Sequence, residues 1–326
     1  MFALRGGDPH GRRRLMNGLV AAQVAFCFVV HAAAGLFVAS LQRLSQQPLG
    51  FVPEHVMTAE AVTPGKHDAV LWLQAAERAR EAGPGVERVA VCGWPLLSTN
   101  AWVGGVRVPG TTEWDPQPPY FLAVSPGWFE TMGIPLTAGR DFRPGEGEAE
   151  VAVVTQAFAR RYFPNNDPVG RVFEWGADGE AQAAKVRIVG LVPDVRYRDL
   201  REAPRPLAFL PFAGDRHRWA SLVIKTHQAA ALAEWLRRAV PRIHPDLRLS
   251  GVGMQQELVD QHTLRERLLA LLAVFFSVVS VLLAGLGLYG VLDYSVLARR
   301  REFGIRLALG APAGAVARRV TAEIAV

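Results

Sequence analysis

The sequence has little lysine and almost no cysteine. Only Lys66, Lys185 and Lys225 contribute lysine to a Lys+Arg total of 36, a bias that reads as GC-rich bacterial coding and not as a binding signal. The two cysteines, Cys27 and Cys92, form no CxxC or Cys/His cluster, so neither a disulfide framework nor a zinc site is available. The phosphate-loop pattern GxxxxGK[ST] is absent, as are HExxH and GxSxG. Their absence removes the usual ATP site, a zinc-protease helix and a nucleophile elbow. No catalytic, cofactor-binding or metal residue is assigned. Positive charge is also missing where a nucleic-acid surface would need it. The formal charge of +6 sits at the two ends. Residues 1–14 carry four arginines against Asp8, residues 293–326 carry six against Asp293, Glu302 and Glu323, and the middle of the chain is neutral.

With 50% hydrophobic and 20% charged residues, the chain has material for a real core and is not a disordered composition. Two runs lack charge altogether, Leu15–Gln42 and Leu268–Leu292. At ~1.5 Å per residue each is long enough for a hydrocarbon layer of ~30 Å, and the first outlasts the ~7–15 residues of a signal-peptide core. Basic flanks stay cytoplasmic, and here they lie before the first run and after the second. Both termini are therefore expected inside, with the neutral stretch between the runs outside. Cys27 falls within a span, so an impermeant reagent applied from outside is expected to label Cys92 if it labels either thiol. Gly285, Gly287 and Gly290 spell GxGxxG within the second run, but no strand and turn precede them, which excludes a dinucleotide fingerprint. Close helix packing is the better account, shared by Gly35 and Ala39 in the first run. Gln23 and His31 are candidates for hydrogen bonds between the helices.

Between the spans the periodicities predict a strand at Met57–Val62, a helix at Lys66–Glu81 and a strand at Val86–Val91. The order returns as a strand at Ser221–Thr226, a helix at Gln228–Val240 with Leu232, Trp235, Leu236 and Ala239 on one face, and a strand at Leu247–Val252. These two βαβ units can pair into one α+β layer, leaving about 95–215 as an insertion rich in short strands and turns. Gln255–Arg267 reads as a helical stalk feeding the second span. Arg140, Asp141, Asp167, Asp194 and Arg196 resemble a catalytic cluster in composition, but turn caps and surface ion pairs account for them.

Four blocks carry a family resemblance: GLVAAQVAF with AAAGLF in the first span, VSPGWFETMGIPLTAGRDF, AFARRYFPNNDPVGRVF, and ARRREFGIRLALGA after the second span. Together they resemble the MacB and FtsX family of ABC-transporter permeases, over nearly the whole chain and nearest to the second half of duplicated MacB-like permeases. The resemblance implies an α+β membrane protein in which two transmembrane helices flank a MacB-like periplasmic core domain of βαβ units with an inserted strand-rich subdomain. The expected segments are a cytoplasmic tail 1–14, transmembrane helix 15–41, periplasmic core and stalk 42–267, transmembrane helix 268–292, and a coupling segment 293–326 running into the start of a third helix. Because a third and fourth helix belong to the family pattern, the chain is expected to be a truncated piece of a longer permease.

The implied mechanism is mechanotransmission in the bacterial inner membrane. A separate cytoplasmic ABC ATPase binds ATP and pushes a coupling segment formed by Arg301, Glu302, Phe303, Gly304, Arg306, Leu307 and Gly310. Glu302 and Arg306 stand at i and i+4. Expected partners are that ATPase, the other permease half or a second permease copy, and a periplasmic adaptor, without nucleic acid. The alternative is a two-span receptor with a periplasmic sensing domain, which would need sustained heptads after the second span, and a membrane-tethered enzyme is a further rival.

Overall fold

Alternating small and branched residues open the region after the first apolar run, where β1 (Val56–His67) lies between β11 (His217–Thr226) and β12 (Arg248–Met254) and is antiparallel to both. β11 in turn pairs antiparallel with β2 (Val86–Cys92). Helix α2 (Ala69–Ala82) joins β1 to β2, and α5 (Ala229–Ile243) joins β11 to β12. Each helix thus skips one strand, giving two interleaved split βαβ units in the order β12-β1-β11-β2. In this computed structural model the described residues are 9–298 and 300, apart from 68, 110, 112, 148–149, 165, 177–182 and 215–216. They divide into two units, one drawn from the two ends of the chain and the other formed by Leu44–Leu264.

Both helices cover one face of these four strands. Leu71, Trp72, Ala75, Ala76 and Ala79 of α2 share a core with Leu232, Leu236 and Val240 of α5, over Met57, Ala59, Ala61, Leu222 and Ile224. Val240, and not Ala239, completes the α5 stripe, since the buried positions advance four residues at a time. Helix α2 starts at Ala69 instead of Lys66 because β1 continues past an irregularity to pair His67 with His217. That irregularity contains Pro64 and Gly65, which lack respectively a donor and a side chain, and Thr63 Oγ1 closes it by donating to Gly65 O at 2.7 Å.

The insertion extends the same sheet. β5 (Tyr120–Val124) joins β2 through the pair Cys92–Val124, and the sheet continues through β10 (Leu207–Pro211), β7 (Val151–Thr155), β9 (Ala184–Val192), β8 (Val172–Gly176) and β4 (Gly105–Arg107). β3 (Trp102–Val103) adds to β5 and β6 (Ala138–Gly139) to β9. β5, β7 and β10 are buried along their whole length, and their period of two sorts them between two cores. Leu122, Val124, Val151, Val153, Leu207 and Phe209 enter one with Trp128, Phe129 and Met132 of the α3 (Trp128–Thr131) segment. Phe121, Ala152, Val154, Ala208 and Leu210 enter the other with Phe158 of α4 (Gln156–Tyr162) and Phe173. At the β4 edge Gly105 lies opposite Gly176, and the Trp114 indole packs on both, with the Arg107 guanidinium 4.9 Å from its ring.

Gly139 and Gly127 separate two reasons for glycine. Both have left-handed φ, +75° and +81°, but a Cβ at Gly139 would collide with the Val189 carbonyl while one at Gly127 meets nothing within 4 Å. Thermal unfolding of the full chain in detergent is expected to show Gly127→Ala losing about 1 kcal/mol, from the backbone conformation alone. Gly139→Ala is expected to lose about 3 kcal/mol or more, because overpacking is added. Equal losses would mean that β6 does not approach β9 closely.

Candidate functional site

The unit built from the chain ends contains α1 (Pro9–Ser45) and the greater part of α6 (Gln255–Ala298). The less exposed positions of α1 run through Val20, Gln23, Cys27, Val30, Ala34, Val38 and Leu41. Those of α6 run through Ala270, Ala273, Ser277, Ser280, Ala284, Gly287 and Val291. Both follow a 3-4 spacing, the 3.5-residue period of helices that pack along a left-handed seam. The α6 side of the seam is made of small residues up to Gly287, as membrane helices require for close approach.

Polar contacts fix the antiparallel register. Ser280 Oγ donates to Cys27 Sγ at 2.8 Å, Cys27 Sγ donates to the Ser280 carbonyl at 3.1 Å, and Ser277 Oγ lies 2.7 Å from His31 Nδ1. A Cβ on Gly287 would come within 2.6 Å of Gln23 Oε1. His31 thus pairs across the helices as expected, and Gln23 abuts the seam at Gly287. Gly35 and Ala39 do not lie on it: they are exposed, and Gly35, Gly285 and Gly290 have open space around them. The seam advances by threes and fours, so of the GxGxxG glycines Gly287 alone falls on its strip.

A second constellation lies within Leu44–Leu264, where the first turns of α6 meet the loop after β2. Gln255 is fully buried, and its Nε2 donates to the Leu96 carbonyl at 2.7 Å. Two turns later His262 Nε2 lies 2.9 Å from the Leu97 carbonyl, its Nδ1 is 3.5 Å from Asp199 Oδ1, and Arg201 Nη2 donates to the His262 carbonyl at 3.0 Å. Between them Leu258 and Val259 pack on the same core as Leu44 and Leu49. The receiving loop is strained, with φ of 62° at Leu97 and 66° at Thr99, positions where a non-glycine side chain is disfavoured. It is held by Leu97 N donating to the Tyr197 carbonyl at 2.7 Å and by Trp94 Nε1 donating to Tyr197 Oη at 3.1 Å. Sequence reasoning missed this joint because its acceptors are backbone carbonyls, which no side-chain pattern advertises.

The five polar residues of the insertion are occupied as caps and ion pairs. Asp141 accepts from Gly127 N at 2.9 Å and Phe142 N at 2.6 Å, and burial raises its carboxyl against the pull of those two donors. Arg140 pairs with Glu146, Asp167 accepts from Val169 N at 3.0 Å, and Asp194 caps α4 at Ala157 N and pairs with Arg160. Arg196 donates to the Glu202 carbonyl. The coupling residues Arg301, Glu302, Phe303, Gly304, Arg306, Leu307 and Gly310 lie outside the described residues.

An α+β domain set between two apolar helices of 28 and 40 residues, each long enough to cross a bilayer, defines a membrane-anchored class of protein. A family model described as MacB-like periplasmic core domain matches residues 19–240, and one described as FtsX-like permease C-terminal matches residues 274–326. The chain belongs to the MacB/FtsX-type permeases of ABC transporters. Over 200 residues, 58% of the chain, it is 26% identical to macrolide export ATP-binding/permease protein MacB 2 of Aeromonas hydrophila subsp. hydrophila, and it spans 30% of that relative's length. Among solved structures, the periplasmic region of MacB from Actinobacillus actinomycetemcomitans is 13% identical with a TM-score of 0.45, covering 67% of this chain and 97% of that one. The extracellular domain of the noncanonic ABC-type transporter YknZ from Gram-positive bacteria is 12% identical with a TM-score of 0.38, covering 60% and 100%.

Two thiol experiments follow from these sites. Because Ser280 Oγ lies 2.8 Å from Cys27 Sγ, Ser280→Cys is expected to form a disulfide with Cys27 when membranes are oxidised, keeping the two ends of the chain linked after proteolysis in the middle. Gly285→Cys, with open space around it, is expected not to, and the reverse outcome would break the assigned register. The structure puts the Cys92 thiol out of reach of an impermeant reagent applied from outside. It is fully buried, burial pushes its thiol well above the ordinary range, and its Sγ donates to the Trp94 carbonyl at 3.2 Å. Since the thiolate is the reactive form, a maleimide is expected to label Cys92 only after unfolding.

Proposed function

We propose that the chain is a non-catalytic permease subunit that couples ATP hydrolysis by a separate cytoplasmic ABC ATPase to a conformational change of its periplasmic domain, for export or for signalling to periplasmic partners. Its place is the bacterial inner membrane with both termini cytoplasmic: tail 1–14, spans 15–41 and 268–292, periplasmic core and stalk 42–267, and coupling segment 293–326. The other partners are a second permease copy or permease half and a periplasmic adaptor. The observation that carries this reading is α6. Gln255 and His262 tie its first turns to the Leu96–Leu97 loop, and the same helix contains the apolar run assigned to the membrane. A displacement applied to such a helix reaches a hydrogen-bonded joint and not a slack linker.

Energy must come from a nucleotide, and the 326 residues contain no GxxxxGK[ST] stretch. The Aeromonas relative's name joins ATP-binding and permease functions, and we assign the first of these to a partner. Contact is assigned to Arg301, Glu302, Phe303, Gly304, Arg306, Leu307 and Gly310, where an acid and a base at i and i+4 stand beside an apolar pair. Residues 9–14 are the first turns of α1 and not a free tail, and their Arg12, Arg13 and Arg14 have no acid among them to make such a pair. The FtsX-like match over 274–326 favours this reading over a two-span receptor.

Reporter fusions after Gly110 and Ala213 are expected to report the periplasm, and one after Gly310 the cytoplasm; a cytoplasmic signal at Gly110 would overturn the topology. Glu302→Arg sets like charges at i and i+4, which costs a helix only a few tenths of a kcal/mol, whereas like charge across an interface costs several. With the cognate ATPase co-expressed, the variant is expected to reach the membrane at normal abundance while co-purification and stimulated hydrolysis fall about tenfold or more. Normal values of both would move the coupling site elsewhere.

A further inference from the structure

We infer that segment 195–205 is a docking surface for the headgroups of anionic phospholipids, with Arg198 as the guanidinium that meets phosphate and Arg201 as the tie that sets the segment beside the membrane run. The segment carries Arg196, Arg198, Arg201 and Arg205 against only Asp199 and Glu202, although the chain between its two basic ends is neutral as a whole. Arg201 Nη2 donates to the His262 carbonyl at 3.0 Å, and α6 is continuous from Gln255 to Ala298. At ~1.5 Å per residue His262 stands ~9 Å before Leu268, where the charge-free run begins. Charge along the helix is graded toward that point. Glu257 and Asp260 come first, Arg265 and Arg267 flank Glu266 just before the run, and Arg43 directly follows the first run. Positive charge is thus gathered at the level of the headgroups, which add ~5–8 Å to each side of the hydrocarbon core.

The side chains of the segment leave one guanidinium available. Glu202 is shared between Arg198 and Arg205, at 3.4 Å from each, and also accepts from Tyr120 Oη at 2.9 Å. Arg205 is fixed: it donates to Tyr120 Oη and to the Pro118 carbonyl, both at 2.9 Å, and stacks 4.3 Å from the Tyr120 ring. Arg198 is 46% exposed and touches Glu202 through Nε alone, so its Nη1 and Nη2 have no acceptor among the described residues. Arg196 lines the same cleft, and its buried Nε likewise lacks one. A guanidinium offers parallel N–H groups that match two phosphate oxygens.

The form of the site selects a surface over a small molecule. The cleft between these side chains has about 10 Å³ of free space, far below the ~300–1,000 Å³ of a ligand pocket. A phosphate therefore rests at its mouth against Arg198, and the rest of its molecule lies outside the protein. A bilayer is the anionic surface that α6 itself brings to this place. The inference rests on 268–292 being a span and does not involve the ATPase contact. Its consequence is that the domain is held to the membrane by lipid as well as by its helices, so that the root of α6 moves against a headgroup layer and not through free water.

The test is hydrogen–deuterium exchange of the full chain, without any ATPase, in nanodiscs of phosphatidylcholine and in nanodiscs of about one third phosphatidylglycerol. Protection of residues 196–205 is expected to be about fivefold higher in the anionic bilayer, the worth of one arginine at such a surface. The gain is expected to vanish at about 1 M salt, where the screening length is ~3 Å. Arg198→Gln is expected to remove most of it. Arg238→Gln, the same change of charge at a 66% exposed position of α5, is expected to retain it. Unchanged protection of β7 and β10 reports an intact fold in each variant. Equal protection in the two bilayers, or equal loss in the two variants, would overturn the inference. So would an equal gain from inorganic phosphate added to the phosphatidylcholine nanodiscs, which would make this a site for a free anion. Both leaflets of the nanodisc carry the anionic lipid, so the outcome is independent of which side the domain occupies, and the reporter fusions decide that question alone.

Discussion

The phenol of Tyr197 is the contact on which the candidate site depends. Its hydroxyl donates to the Phe121 carbonyl at 2.8 Å and accepts from Trp94 Nε1 at 3.1 Å and Trp102 N at 3.4 Å, while its own carbonyl accepts from Leu97 N. One nearly buried side chain therefore ties strand β5, the loop after β2 and the segment 195–202 together. Burial raises its pKa, so the hydroxyl keeps its proton and its role as donor. An unpartnered hydroxyl in such a place would be costly, which makes the whole arrangement all-or-none. The left-handed backbone at Leu97 and Thr99 is sustained by these neighbours, and the carbonyls of Leu96 and Leu97 are presented to α6 as a result.

Around that knot, the sheet divides labour by parity. Alternate residues of β5, β7 and β10 feed two cores on opposite faces, so these strands tolerate almost no polar side chain and read in the sequence as continuous apolar runs. The four strands at the other end of the sheet carry helices on one face and are more mixed in composition. One sheet thereby changes from a two-helix layer to a doubly buried slab at the Cys92–Val124 pair.

Much of this was legible in the sequence, for identifiable reasons. The two βαβ units announce themselves through helical spacing at Leu232 and Leu236 and alternation at Met57 and Ala59, both of which are local signals. The order of strands in the insertion was not legible, because β5 pairs with β10 and β7 with β9 across 30 or more residues, and nothing in either strand names its partner. The spans were legible from their lack of charge, and so were Gln23 and His31 as polar groups that meet between them, but the small residues that line the seam were not. Motif spacing pointed to Gly285, Gly290, Gly35 and Ala39, whereas the packing obeys a 3.5-residue period through Ala273, Ser277, Ser280 and Gly287. The coupling segment rested on family resemblance and lies outside the described residues.

The two ends of the sheet carry a further consequence, for biogenesis. An open sheet ends in strands whose outer N–H and C=O groups can recruit any passing extended chain. β12 breaks that invitation with Gly251 and Gly253, a register shift opposite Glu60 and Ala61, and Arg248 at its start. β4 is three residues long and lies beneath Trp114, whose indole rests on the Gly105–Gly176 platform with Arg107 beside it. Neither margin offers a long flat template. A domain can thus carry ten strands in one path without its margins acting as a template for another copy of itself.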